Sequence, residues 1–332
     1  MPENIGLKTY RLVLLLFLVG LGISNAQKEP QYTQYMYNIG SFNPAYVGTV
    51  ETPEAAGLYR AQWIDVPGAP TTIRFGANVP FADDKTGLGL NIVNDELGPS
   101  NQTYIDVSYS YQINLSEDTK LSFGLSAGGS MLSLDYSEGF LQNPGEPTIT
   151  EENLSNFYPT VGAGLFLYGD EDWYLGLSVP NFLTNGLYND EVATIVEDSM
   201  QFNLIGGYVF QIADRTKFKP ALLINYLSGA PANVNLSANF QFIDALTVGA
   251  SYRFDNAVSA LAGFQVSNAL FLGYSYDYNT NGLGEYSGGS HEAILKFYIG
   301  RGGFGSSGNR NKSNKNKNLK GKPKQIDSPR FF

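Results

Sequence analysis

Between residues 55 and 299 the chain alternates. Over 102–114, Thr103, Ile105, Val107, Tyr109, Tyr111 and Ile113 share one parity, and Gln102, Asp106, Ser108, Ser110, Gln112 and Asn114 share the other. Residues 233–242 repeat the pattern, with Val234, Leu236, Ala238, Phe240 and Phe242 set against Asn and Ser positions and Gln241. Leu121, Phe123, Leu125 and Ala127 do the same against Ser122, Gly124 and Ser126. A period of two sends successive side chains to opposite faces of a pleat, so these stretches are β-strands. The polar face narrows the fold further. A soluble sandwich turns Lys, Glu and Arg to water, but this face is Ser, Asn, Gln and Gly. Only 16% of the chain is charged, against about 25% in ordinary soluble domains. Aromatic residues gather near the expected strand ends: Tyr104, Tyr109, Tyr111, Trp173, Tyr174, Tyr208, Tyr274, Tyr276 and Tyr278. An apolar outer band, aromatic girdles and a polar lumen describe a transmembrane β-barrel. In lipid such a sheet has to close, because an edge would leave backbone groups without partners.

The pattern predicts an all-β, antiparallel, up-and-down barrel of about 14 strands. They fall at 55–64, 70–79, 86–94, 100–114, 119–133, 157–168, 172–180, 199–214, 217–227, 232–242, 245–253, 256–266, 269–277 and 290–299. Lys217–Leu227 and Val258–Val266 alternate less cleanly than the rest. The long connections 134–156, 181–198 and 278–289 all follow odd-numbered strands. Short ones centre on 170–171, 215–216, 243–244 and 267–268. Long loops on one side and short turns on the other are the outer-membrane arrangement.

Residues 1–26 read as a secretory signal. Lys8 and Arg11 precede the apolar or Gly run 12–23, and Ser24, Asn25 and Ala26 offer a cleavage position before Gln27. The run is too short for a spanning helix, which needs about 20 residues. The chain has no Cys, which excludes a lipoprotein anchor, disulfides and Cys-ligated zinc. The expected organisation is a signal peptide at 1–26, a periplasmic or lumen-plugging segment at 27–54, the barrel at 55–299 and a flexible basic tail at 300–332. Both mature termini are expected in the periplasm. Charge follows this division: residues 27–300 hold 10 basic and 29 acidic residues, whereas 301–332 hold 9 basic residues and Asp327.

Particular residues then resemble a known family. Gln31-Tyr-Thr-Gln-Tyr-Met-Tyr-Asn38 and Asn43-Pro-Ala-Tyr-Val-Gly48 resemble the N-terminal hallmark of the PorP/SprF family, outer-membrane proteins of Bacteroidetes. The likeness continues through Tyr59-Arg-Ala-Gln-Trp63, Pro67-Gly-Ala-Pro-Thr-Thr72, Gly87-Leu-Gly-Leu90 and 94–99. It closes with Gly273-Tyr-Ser-Tyr-Asp277 and Gly284-Glu-Tyr-Ser-Gly-Gly-Ser-His-Glu292. It spans 31–299, and the basic tail departs from it. The resemblance implies an accessory of type IX secretion and gliding motility that supports export or surface attachment of large adhesins. Its implied partners are outer-membrane lipid, periplasmic and translocon components and the secreted cargo. It implies no catalysis and no cofactor.

Chemical motifs weigh little against this. His291 is the single histidine, in Ser290-His291-Glu292, and neighbours in one strand point to opposite faces, which is wrong for a catalytic triad. Paired carboxylates at 83–84, 95–96, 151–152, 170–172, 190–191 and 197–198 could hold calcium or act as acid and base. All fall in predicted loops, where solvated charge explains them. Residues 300–305 are Gly-rich but lead into no helix, so they make no phosphate loop. No cofactor or metal is expected.

Arg60, Arg74 and Arg253 lie within strands, and each would cost about 2–4 kcal/mol on a lipid face. They are expected to face the lumen or rim and pair with carboxylates such as Asp106. Tyr32, Tyr35, Tyr37, Asn38, Asn43 and Tyr46 are expected to contact the lumen or a partner, together with Arg60 and Trp63. In the tail, Arg310, Lys312, Lys315, Lys317, Lys320, Lys322 and Lys324 suit anionic periplasmic partners or peptidoglycan, with no role for nucleic acid. The competing function is a diffusion porin or small-solute channel.

Overall fold

A computed structural model describes residues 30–82, 85–134, 154–169, 172–183 and 200–300. The signal peptide and the basic tail lie outside these residues. Strands β1 (Glu54–Ala61), β2 (Thr71–Pro80), β3 (Thr86–Leu97), β4 (Ser100–Asn114) and β5 (Thr119–Leu134) come first, followed by β6 (Leu154–Gly169) and β7 (Trp173–Val179). After these come β8 (Gln201–Tyr208), β9 (Phe210–Ala213), β10 (Thr216–Leu227) and β11 (Asn233–Phe242). The last four are β12 (Leu246–Arg253), β13 (Ala257–Ser267), β14 (Leu270–Asn279) and β15 (Ser290–Tyr298).

Pairing runs antiparallel between chain neighbours, and β15 returns to pair with β1. That last ladder closes the sheet. Strands β8 and β9 both pair with β10 and are separated only by Val209, so they form one stave. At the break, Val209 N–H donates to Asp172 O at 2.6 Å. The barrel therefore has fourteen staves, in the places the alternation predicts.

Side-chain parity sorts the wall into two faces. Ile73, Phe75, Ile105, Val107, Leu125 and Phe264 point outward and stay exposed, as lipid contact requires. Thr72, Ser110, Ser122, Asn239 and Ser275 point inward and are buried. Tyr174 differs from its expected place in a girdle. It points inward, because its ring stacks on Phe166 at 5.5 Å.

The less regular strands have a physical explanation. In β10 the inward positions include Ala221 and Leu223, and in β13 they include Leu261. Polar alternation lapses there because the interior contains an apolar core. Its members are Tyr35, Met36, Tyr37, Ile39, Phe42 and Tyr46 from the chain before β1, packed on Leu58, Phe166, Ile205, Leu223, Leu261 and Ile294 of the wall.

The two ends of the barrel differ. Turns at 81–85, 115–118, 170–172, 214–215, 243–245 and 268–269 mark a short-turn end, where β1 begins and β15 finishes. Connections 62–70, 135–153, 180–200 and 280–289 leave from the opposite end.

Candidate functional site

The chain before β1 occupies the inside of the wall, and residues 32–39 and 42–49 are buried. It is built from three 3-10 turns at Tyr35–Tyr37, Ile39–Ser41 and Pro44–Tyr46. Backbone N–H groups here bond three residues back, as Tyr37 does to Gln34 O, Asn38 to Tyr35 O and Phe42 to Ile39 O. A segment enclosed by a wall has to satisfy its own backbone groups, and short 3-10 turns do so in little space. Asn43 starts the third turn, accepting from Ala45 N–H through its side chain at 2.9 Å. Pro44 follows with φ already near the helical value. The Asn43-Pro44 dipeptide thus builds a cap.

Contacts to the wall are close and polar. Asn43 Nδ2 donates to Leu165 O at 2.9 Å, and Ser122 Oγ donates to Ala45 O at 2.7 Å. Ser178 Oγ donates to Phe42 O. Tyr35, fully buried, donates through its hydroxyl to Ala221 O at 2.9 Å and lies 3.0 Å from Ser237 Oγ. Tyr37 packs on Phe271 with centroids 4.6 Å apart, and Tyr46 meets Phe166 edge-on at 5.6 Å. Burial pushes the Tyr37 phenol up to about 12 and Tyr35 higher still, so both stay protonated donors.

Two glycines make the approach possible. A Cβ on Gly124 would sit 2.1 Å from Ala45 N, and one on Gly87 would sit 2.3 Å from Gly48 Cα. Both clashes are with backbone, which cannot swing aside.

A buried ionic cluster grips the start of this segment. Arg60 on β1 bonds Asp277 on β14 (Nη2–Oδ2 2.7 Å) and Glu292 on β15 (Nη1–Oε2 2.9 Å). Arg253 at the end of β12 lies 3.9 Å from the same Asp277 oxygen, and its Nε donates to Asn235 Oδ1 at 2.7 Å. Thr33 sits among these charges. Its hydroxyl donates to Asp277 at 2.7–2.8 Å, and Arg60 and Arg253 donate to that hydroxyl at 3.2 and 3.3 Å. The two oxygens of Glu292 accept the consecutive N–H groups of Thr33 and Gln34 at 2.9 and 2.8 Å. Two guanidinium groups and two carboxylates, all buried, balance each other, as buried charges require.

These positions correct one expectation and extend another. Asp106 on β4 is not the ion-pair partner of any of the three arginines. The register puts β1 beside β15 and β2, so Arg60 reaches Asp277 and Glu292. Arg74 is linked to Asp106 through Asn91, which accepts from Nε at 2.7 Å and donates to Asp106 at 2.9 Å, and the two opposite charges attract each other across that bridge. Asp95, expected in a loop, lies in β3 and accepts from Thr72 Oγ1 at 2.6 Å.

The cluster lies near the ends of β12, β14 and β15 that face the 280–289 connection. Thr33 therefore stands at the end opposite Glu54 and Tyr298, so the segment runs along the lumen. That differs from a segment confined to the short-turn end.

The predicted site residues separate into three groups. Tyr32, Tyr35, Tyr37, Asn38, Asn43, Tyr46 and Arg60 are brought together inside the wall. Trp63 is at the rim, with its backbone N–H donating to Ser290 Oγ at 3.2 Å, apart from the cluster. Arg310, Lys312, Lys315, Lys317, Lys320, Lys322 and Lys324 lie outside the described residues. Sequence reasoning passed over Thr33, Gln34, Asp277 and Glu292 as site residues. The available signal was parity: Asp277 and Glu292 are carboxylates at inward positions of strands whose other inward residues carry no negative charge. His291 points the other way, its Nδ1 2.5 Å from the Tyr274 hydroxyl, so Ser290, His291 and Glu292 do not converge.

No curated relative matches the sequence. Among solved structures, the chain is similar to a FadL homologue of Pseudomonas aeruginosa (14% identity over 81% of this chain and 93% of that one, TM-score 0.39). It is also similar to the CymD monoaromatic hydrocarbon channel (11%, 83% and 93%, TM-score 0.41) and to the NanC porin (11%, 74% and 98%, TM-score 0.38). At such identities and superpositions none of their transport properties carries over. The family model described as type IX secretion system membrane protein PorP/SprF matches residues 24–297. With a closed outer-membrane-type barrel and a match over most of its length, the chain belongs to the PorP/SprF family.

Proposed function

We propose that this type IX secretion barrel is a closed scaffold that acts through protein contacts, supporting export or surface attachment of large adhesins or gliding proteins without conducting solutes. One observation carries the reading: residues 32–49 fill the lumen as a packed core and are latched by the Arg60, Asp277, Glu292 and Arg253 charges. In this reading the segment is a plug, and the protein has no catalytic task. The short-turn end faces the periplasm, as in outer-membrane barrels generally. In this reading β15 ends on the periplasmic side and the basic tail follows it there, with Arg310 to Lys324 meeting translocon components, other periplasmic proteins or peptidoglycan carboxylates. Such contacts weaken as salt screens them. The position of Thr33 supports an amino-terminal approach from the opposite end, in place of the periplasmic one expected from sequence.

Planar-bilayer recording tests the closed scaffold, alongside affinity purification from gently solubilised envelopes. The expected result is electrical silence with co-purifying secretion components. Large steady conductance from the intact protein without such partners would favour a diffusion porin and end this reading.

A further inference from the structure

Among the described residues, Arg74 is a buried cation without an ion-pair partner. Its side chain, on β2, is 4% exposed, and no carboxylate described lies within salt-bridge distance of it. One of its five N–H groups is used, the Nε–H bonded to Asn91. The two Nη nitrogens lie over Gly76, where a Cβ would come within 2.8 and 3.1 Å of them. Beside them is a cavity of about 240 Å³, counting the part open to solvent, lined by Asn38, Gly40, Tyr46, Glu54, Arg74 and Asn78 among others.

Asn38 brings a second observation from the inner segment. Its side chain is 3% exposed, and neither Oδ1 nor Nδ2 has a hydrogen-bond partner. A buried amide with both ends open marks a place where a water or an ion belongs. Glu54, the carboxylate in the lining, is already matched. It accepts from Asn78 Nδ2 at 2.9 Å and lies 3.4 Å from Lys296 Nζ. The open groups around the cavity are thus mostly donors, four N–H on Arg74 and two on Asn38, against the amide oxygens of Asn38 and Asn78.

We propose that this cavity is a binding site for one small monovalent anion of chloride size, held between Arg74 of the wall and Asn38 of the inner segment. The excess of open N–H donors on Arg74 and Asn38 selects an anion over a cation. The free space, enough for about one water-sized particle, excludes phosphate and larger anions. Because the ion touches both wall and segment, it stabilises the seated segment through binding linkage.

Two measurements on the full-length protein decide this. Crystals grown in sodium bromide should show an anomalous peak beside the Arg74 guanidinium. In detergent, the melting temperature should rise with bromide or chloride and saturate, relative to sodium gluconate at equal ionic strength. Arg74→Gln should abolish the halide dependence. Gly76→Ala, which pushes only the flexible guanidinium end aside, should weaken it. Absence of the peak, with equal melting in halide and gluconate, would mean water alone fills the cavity and would overturn the proposal. So would halide dependence that survives in both variants. If Arg74→Gln does not assemble, the wild-type bromide peak still decides between ion and water.

Discussion

Arg60 and Glu292 stand opposite each other in register across the β1–β15 ladder, with Nη1 and Oε2 2.9 Å apart. The strands they join are the first and last of the barrel, so the ion pair sits on the seam that closes it. The same carboxylate holds the backbone of Thr33 and Gln34. Closure of the wall and seating of the inner segment share one side chain.

Removing either partner of this seam leaves a buried charge uncompensated. Arg60→Gln or Glu292→Gln should each destabilise the folded barrel by about 3–5 kcal/mol, read from urea-dependent loss of heat-modifiable gel mobility. The double variant should cost clearly less than the sum, since residues in one network are not additive. Strict additivity would show that the two charges do not act together.

Dislodging the segment without breaking the wall is the complementary experiment. Gly124→Ala puts a methyl group where Ala45 N lies 2.1 Å away, and it removes no backbone N–H or C=O from the two ladders in which Gly124 pairs with Ser110 and Gly164. The barrel should keep its heat-modifiable mobility while residues 32–49 become accessible to protease and conductance appears. Unchanged protection would place the segment's anchorage elsewhere.

Alkaline pH should loosen the interior in a defined window. An exposed tyrosine gives up its proton near pH 10, whereas Tyr37 inside the barrel holds its own to about 12. A raised folded-state value means the stabilisation is intact below pH 10 and is lost as pH climbs towards 12. Tyr37→Phe should flatten this part of a urea-midpoint-against-pH curve. An equally steep decline in the variant would assign the loss to other groups.

Orientation is testable because the chain has no native Cys. Asp244→Cys, in a short turn, should react with an impermeant maleimide only after the outer membrane is breached. Tyr286→Cys, in the 280–289 connection and 74% exposed, should react on intact cells. Gln31→Cys should follow Tyr286→Cys, given where Thr33 is held. The reverse order for the first two would invert the assigned orientation.

The strands themselves were legible because each is a local pattern. A period-two sequence such as 102–114 dictates a pleat with one lipid-facing side whatever the rest of the chain does, and fourteen such runs imply closure. The irregular runs at β10 and β13 were legible as irregular, but their cause was not, because Leu223 and Leu261 are apolar only to meet a segment far earlier in the chain. Tyr174 was misplaced for the same reason: an aromatic near a strand end reads as a girdle residue until its inward neighbour Phe166 is known.

The sequence by itself determined the element type, the number and approximate places of the strands, the two faces of the wall and the presence of in-strand arginines that could not face lipid. It also supplied the aromatic composition of residues 32–46. Only the tertiary structure decided which carboxylates answer those arginines and what the lumen contains. Arg60 finds Glu292, 232 residues away, because barrel closure sets β1 beside β15. Ion pairing and core packing depend on distances in space, and a closed sheet makes its nearest neighbours out of the two ends of the chain.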